Sequence, residues 1–364
     1  MKITCTTEHL KTAVLTVEHF TGRHVTLPIL SYILITVKER KIYLSATNLE
    51  IGIEYAIPGK IQKPGTVTIP AKTLTQIIQS IPDETITLDG QQNKILIHTP
   101  SSDITILGLD PTDFPNLPTI KKEHSFSIPA EVLTLALHQV LPAVAPTDLK
   151  PQLSGVFMAS TDEALVLAAT DSFRLAEKTI NHTEGLSNRI ECIVPGRTMQ
   201  ELLRTLPSGG EVQVNVGENQ VVFEWNETRI LSRLIDGAYP PYKNIIPKSY
   251  ETTIVVNRED LLKKIRLASV FSSRLNDVTL HVSPKELAIT TANAESGGTT
   301  TRMPVKGRGA SGAVVFNYRY LWDGIEAAQG PQVTLHINGI SGPTLIQSQA
   351  DPSFLYLLMP IRAT

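Results

Sequence analysis

Apolar and polar residues alternate along most of this chain in short runs. The alternation gives way to helical spacing at regular intervals. Residues 65–88 (GTVTIPAKTLTQIIQSIPDETITL), 189–214 (RIECIVPGRTMQELLRTLPSGGEVQV) and 312–335 (GAVVFNYRYLWDGIEAAQGPQVTL) share one order. Each is a β-type run, a helix start at Pro70, Pro195 or Asn317, an amphipathic stretch, a Pro/Gly break and a second β-type run. The starts lie roughly 120 residues apart, the size of a whole domain rather than of a solenoid unit. Residues 2–20, 124–140 and 253–271 superpose in the same way, with Leu10, Leu133 and Leu262 at matching places. Thr7 with Glu8, Pro129 with Glu131, and Asn257 with Glu259 and Asp260 put caps, proline and acids into first turns, where orphan N–H groups favour them.

A third repeated unit runs strand, corner, strand: 41–54 (KIYLSATNLEIGIE), 164–177 (ALVLAATDSFRLAE) and 286–299 (ELAITTANAESGGT). A fourth covers 94–109, 220–234 and 345–358, again with half-buried alternation. Each copy therefore reads as β-α-β-meander twice over, with two helices and about eight short strands. Helices segregated to one face of antiparallel sheet define an α+β fold. The Pro-rich joints at 114–122 (FPNLPTIKK) and 239–250 (YPPYKNIIPKSY) divide the chain into three tandem domains, 1–122, 123–247 and 248–364.

Composition adds little to this picture. At 364 residues, each third is long enough to bury a core, and a net charge of -2 names no partner. No apolar run approaches a membrane span, and the first residues have no apolar signal core, so neither membrane insertion nor secretion is expected. Two cysteines, Cys5 and Cys192, fit a reducing cytoplasm, as small buried strand residues.

Candidate chemistry is sparse. One G-x-G-x-x-G match, at Gly307, Gly309 and Gly312, precedes the β-type run AVVF rather than a helix, so it reads as a hairpin loop and not a phosphate cradle. The nine histidines are scattered, and Cys5 with His9 lacks a second pair to complete a metal site. Asn48, Asp171 and Asn293 occupy the same corner of the three copies. An acid with two amide counterparts suits a side chain bonding its own turn better than a catalytic acid. No catalytic constellation, cofactor loop or metal site is expected, and the function falls to something a repeated scaffold can do.

Six helices carry Lys11, Lys72, Arg197, Arg204, Lys263, Lys264, Arg266 and Arg319 against somewhat fewer acids. A solvated face explains this slight excess on its own. Geometry offers another reading. Twelve helices from two chains, each about 10 Å wide, would line a ring with a free bore of about 28 Å, wide enough for a nucleic-acid duplex. Contacts there would be phosphate-directed and blind to sequence.

The chain also resembles a known family, on T-L-P-I-L at 26–30, D-F-P-N-L at 113–117, A-T-D-S-F-R-L-A at 169–176, D-G-x-Y-P-x-Y at 236–242, F-N-Y-R-Y-L at 316–321 and Y-L-L-M-P-I-R at 356–362. In that order and spacing they resemble the bacterial sliding clamps, the β subunits of DNA polymerase III. The resemblance implies a head-to-tail homodimeric ring of six domains with DNA in the hole. It implies opening by an ATP-driven clamp loader, and tethering of polymerase subunits, ligase and mismatch-repair proteins through short linear peptides. No reaction, cofactor or metal is implied.

By the same resemblance a peptide pocket between the second and third domains takes in Leu153, Thr170, Ser172, Phe173, Arg174, Leu175, Pro240, Asn244 and Ile245. It continues through Asn317, Tyr320, Pro343, Leu357, Leu358, Met359, Pro360 and Arg362. An apolar trough with a few orienting polar groups suits a linear peptide, although 357–360 also reads as a buried last strand. Arg23, His24, Lys72, Lys150, Arg197, Arg204 and Lys264 are the candidate DNA contacts, and Ile104 and Ile106 against Val270 and Phe271 of a second chain form the candidate dimer seam. The corner departs from the family's T-D-G-H-R-L by carrying Ser172 and Phe173, and Asn244 stands where Arg is common, which makes the pocket greasier and less basic. An enzyme on a repeat scaffold and an interaction hub that never touches DNA are the competing readings.

Overall fold

The computed structural model describes residues 1–361 except 23–25, 39, 92, 119, 122, 148, 161–163, 182–188, 294 and 296. Arg23, His24 and Arg362 therefore lie outside the described residues. Six α-helices recur in pairs: α1 (Thr7–Glu18), α2 (Ala71–Ser80), α3 (Ala130–Val140), α4 (Gly196–Thr205), α5 (Arg258–Ser269) and α6 (Tyr318–Ala327). The second helix of each pair begins just after Pro70, Pro195 and Asn317, as the pattern predicts. Asn257 and Asn317 cap by accepting from the N–H of Asp260 (2.9 Å) and Arg319 (3.0 Å). At α1 the cap is Thr6 rather than Thr7. Thr6 Oγ1 accepts from His9 N at 3.3 Å, whereas the Thr7 hydroxyl, already inside the helix, donates to Asp83 O at 2.5 Å. Among the described residues no helix is long and apolar enough to cross a membrane.

All strand pairings are antiparallel and build four sheets. The five-stranded sheet runs Lys60–Lys63, Lys2–Thr6, Thr85–Gln91, Lys94–His98, Asp103–Leu107. The eight-stranded sheet runs His124–Pro129, Glu211–Val216, Gln220–Trp225, Thr228–Arg233, Ile51–Ile57, Lys41–Thr47, Tyr32–Lys38, Gly65–Pro70. The nine-stranded sheet runs Glu191–Pro195, Gly155–Ser160, Ala164–Thr170, Arg174–Asn181, Asp351–Leu358, Thr344–Ser348, Gln332–Ile337, Thr252–Asn257, Lys306–Gly309. The four-stranded sheet runs Gly297–Pro304, Glu286–Asn293, Asp277–Val282, Gly312–Asn317. The G-x-G-x-x-G glycines thus sit in and between strands of two different sheets, because Lys306–Gly309 pairs with Thr252–Asn257 while Gly312–Asn317 pairs with Asp277–Val282. They form no hairpin, and no helix opens there.

Alternation in the sequence becomes alternation in burial. Tyr32–Lys38 buries Ile33, Ile35 and Val37 and exposes more of the residues between them, whereas Ala164–Thr170 is buried throughout. Two compact units result. One holds Met1–Glu131 and Gln200–Leu234, and the other holds most of the remaining chain, so the middle repeat contributes strands to both. In the first unit α1 packs on α2; in the second α5 packs on α6.

The sheets also show how repeats join. In the first unit, the last strand of the middle repeat, Thr228–Arg233, pairs with the post-corner strand of the first, Ile51–Ile57, placing Ile230 opposite Ile53. In the second unit, the last strand of the third repeat, Asp351–Leu358, pairs with the post-corner strand of the middle one, Arg174–Asn181, placing Tyr356 opposite Ala176. The remaining members of these two sets, Asp103–Leu107 and Gly297–Pro304, are edge strands.

Candidate peptide-docking site

The corner between Ala164–Thr170 and Arg174–Asn181 is built by its own side chains. Asp171 Oδ1 accepts from the N–H groups of Phe173 (2.9 Å) and Arg174 (3.0 Å), and the Thr170 hydroxyl donates to Arg174 O (2.6 Å). Asn48 does the same for Glu50 and Ile51, and Asn293 for Glu295, as the shared corner predicts. The tight turn drives Ser172 to φ 78° and its counterpart Leu49 to φ 76°, both in the left-handed region. Phe173 is thereby presented outward, 61% exposed.

The tail after Asp351–Leu358 then crosses this corner. Met359 N donates to Phe173 O at 2.9 Å, and Ile361 N donates to Val315 O at 2.8 Å. Helix α6 closes the other side. Gly324 allows it to approach the Tyr356 ring, which would lie 2.4 Å from any Cβ there, and the buried Tyr356 hydroxyl donates to Tyr320 O at 2.9 Å. Together these elements enclose a groove of about 570 Å³. Ser172, Phe173, Asn317, Tyr320, Met359 and Pro360 line it, with Leu275 and Ile361. None of these side chains is charged, and most are apolar, which suits the hydrophobic anchors of a linear peptide.

Beside the groove lies an ion-pair cluster. Arg174 Nε donates to Asp171 Oδ2 at 2.9 Å, its Nη1 donates to Asp323, and its guanidinium carbon sits 4.1 Å over the Tyr320 ring. Burial works against the charge on Arg174, yet the neighbouring Tyr356, Asp171 and Asp323 hold its pKa above the ordinary value. Burial raises the pKa of Asp323, with Arg174 opposing and Glu326 and Asp171 adding to the rise.

The remaining expected pocket residues are placed differently. Leu175 and Leu357 are buried in a core cluster with Ala168, Tyr242 and Leu345. Leu153, Thr170 and Leu358 are buried as well. Pro240, Asn244 and Ile245 are exposed on the segment around the turn Tyr242–Ile245, and Pro343 is half-buried. Two groove residues escaped the sequence reading. Ile361 directly follows the M-P pair and was reachable from it, whereas Leu275, an exposed turn residue, carried no signal. Asp323 also escaped, although it lies one helical turn from Tyr320, and Asp171 was read for its corner but not for its ion pair with Arg174.

Of the expected DNA contacts, Lys72, Lys150 and Arg197 are exposed, Lys264 is half-buried, and Arg204 donates to Glu201 at 2.9 Å. At the expected seam Val270 is exposed, Phe271 and Ile104 are half-buried, and Ile106 is buried in its own sheet, leaving Leu107 as the exposed apolar side chain of that edge strand. Among the described residues no group of three or more His, Cys, Asp and Glu could hold a metal. Burial raises the pKa of both thiols to about 12, which makes them poor nucleophiles.

The same corner at the first joint carries different side chains. There Arg233 N donates to Glu50 O at 2.9 Å, the counterpart of the Met359–Phe173 bond, so charged side chains stand where the second joint has Met and Phe.

A triplicated two-helix unit with a largely apolar groove at one corner defines a repeated scaffold. Models of the DNA polymerase III beta subunit match nearly the whole length: the N-terminal domain over residues 1–118, the central domain over 127–241 and the C-terminal domain over 243–362. The chain belongs to the DNA polymerase III beta subunit family. It is 29% identical over 388 residues to the beta sliding clamp of Synechocystis sp., covering 100% of this chain and 99% of that one, and 27% identical over 376 residues to that of Bacillus subtilis, covering both completely. The crystal structure of the Bacillus subtilis DNA polymerase sliding clamp superposes with a TM-score of 0.94 at 26% identity over the whole of both chains. A Pseudomonas aeruginosa sliding clamp bound to griselimycin superposes with the same TM-score, identity and coverage.

Proposed function

We propose that this chain is a DNA sliding clamp that works as a ring-shaped homodimer around duplex DNA and tethers the replicative polymerase and repair proteins through peptides seated in the groove. The repeats are taken as 1–122, 123–247 and 248–364, the site of action as the cytoplasm, and a clamp loader as the agent that opens the ring. Sliding clamps of this family are non-catalytic processivity factors.

The observation that carries the ring is the unmatched pair of edge strands. Twice within the chain a repeat's last strand pairs with a post-corner strand. The third pair, Asp103–Leu107 and Gly297–Pro304, is left open, and a second copy arranged head to tail would satisfy both edges twice. The internal joints also supply the register. Arg229 faces Glu54 and Leu355 faces Glu177, so by the repeat Asp103 faces Thr299 of the second copy, and Ile104 faces Gly298.

Retention on DNA tests the encircling reading. Protein loaded onto a closed circular plasmid should stay through gel filtration and leave once the plasmid is cut. An unchanged rate of loss after cutting would show an ordinary affinity contact and sink the topological reading.

A further inference from the structure

Among the described residues the groove has no charged lining side chain, but the Arg174 cation sits over the ring of Tyr320, which lines it. Arg174 Cζ lies 4.1 Å from the Tyr320 ring centroid. Its side chain is 11% exposed and is held by Asp171 on one edge and Asp323 on another. Asp171 is committed to the corner, where its other oxygen accepts two backbone N–H groups. Asp323 has no such duty. It projects from α6, its side chain is 31% exposed, and its recorded polar partner is Arg174. Two carboxylates thus flank one guanidinium, so the cluster has a formal surplus of one acid beside a groove whose described lining is uncharged.

Resting on the docking reading above, we propose that Asp323 is a specificity-determining residue of the groove. It cancels Arg174 and leaves a surplus negative charge, so the groove takes an uncharged, apolar peptide segment and disfavours a carboxylate at the position next to Tyr320. Desolvation makes the selection steep. A peptide carboxylate entering this wall would leave water beside the Arg174 guanidinium, which is already paired twice.

The test uses the full-length protein and two fluorescein-labelled apolar peptides that differ only by Gln or Glu beside an aromatic anchor. The quantity read is the ratio of their dissociation constants by fluorescence anisotropy, since the Gln peptide reports the groove's shape in each variant. Wild type should favour the Gln peptide by at least about five-fold, the effect of roughly one screened charge. Asp323→Asn, which keeps shape and removes charge, should bring the ratio close to one or invert it, and Asp323→Glu should restore the preference. A ratio that stays at the wild-type value in Asp323→Asn, or a wild type that does not discriminate, overturns the proposal. Failure of the docking reading is seen separately: neither peptide then binds wild type, or Met359→Ala leaves the affinity for both unchanged.

Discussion

The buried ion pair between Lys178 and Asp351 links the post-corner strand of the middle repeat to the last strand of the third. Lys178 Nζ donates to both carboxylate oxygens at 2.7 Å, and the side chains are 7% and 10% exposed. Ser353 Oγ (2.6 Å) and Gln139 Nε2 (2.9 Å) donate to the same carboxylate. At 2.7 Å and an effective dielectric of about 20, the attraction is about 6 kcal/mol before desolvation is subtracted. Lys178→Met removes the ammonium and leaves the acid buried. One-sided removal of a buried pair costs roughly 3–5 kcal/mol, and the two surviving hydrogen bonds place this case near the lower end, about 3 kcal/mol. In urea titrations followed by circular dichroism, an m-value of about 3 kcal/mol/M turns that into a midpoint lower by about 1 M. Replacing both partners, Lys178→Met with Asp351→Leu, should recover most of the loss. A single variant costing under about 1 kcal/mol, or a double variant as unstable as the sum of the singles, refutes the reasoning. The pH dependence gives an independent check. Burial pushes the Asp351 carboxyl up, but the hydrogen bonds from Lys178, Ser353 and Gln139 outweigh it and hold the pKa below the usual aspartate range. The native state therefore binds this proton less readily than the unfolded chain. The stabilisation is present above the unfolded aspartate value, about 3.9, and is lost as pH falls through the depressed one. Lys178→Met should flatten that acid slope.

Ser172→Gly should relieve the left-handed strain at φ 78° and, after the added freedom of the unfolded chain, raise stability by about 0.5–1 kcal/mol in the same titration; an unchanged or lower midpoint contradicts it. Asp103→Cys combined with Thr299→Cys should give a disulfide-linked dimer on a non-reducing gel, because directly opposed strand residues lie within disulfide reach. If Asp103→Cys with Thr301→Cys cross-links equally well, the proposed register is wrong. Cys5 and Cys192, both raised to about 12 by burial, should resist a thiol reagent at pH 8 until the protein is unfolded. Rapid labelling of the native protein at Cys5, the buried one, would contradict this; Cys192 is half-buried rather than buried as expected.

Much of the fold was legible because the repeat supplied three readings of each element. The helix starts at Pro70, Pro195 and Asn317 and the corner residues Asn48, Asp171 and Asn293 are set by local backbone chemistry, which sequence records directly. The α1 cap was misplaced by one residue because two threonines stand side by side, and only the hydrogen bond to His9 distinguishes them. The glycines at 307, 309 and 312 were misjudged because nearness in sequence does not reveal which sheet a strand joins. The apolar half of the groove could be read from the terminal M-P pair. The charge state of its wall could not, since Asp171, Arg174 and Asp323 come together only when the corner and α6 are packed.

On the docking reading proposed above, the contrast between the two internal joints sets how many peptides a chain would hold. The same backbone bond occurs at both, but at the second joint it joins Phe173 and Met359, which line the apolar groove, and at the first it joins Glu50 and Arg233. The binding stoichiometry should therefore be one peptide per chain, not one per repeat. Proteins docked there as proposed would take turns at the groove, and their relative concentrations and off-rates, rather than separate addresses on the scaffold, would set the order in which they occupy it.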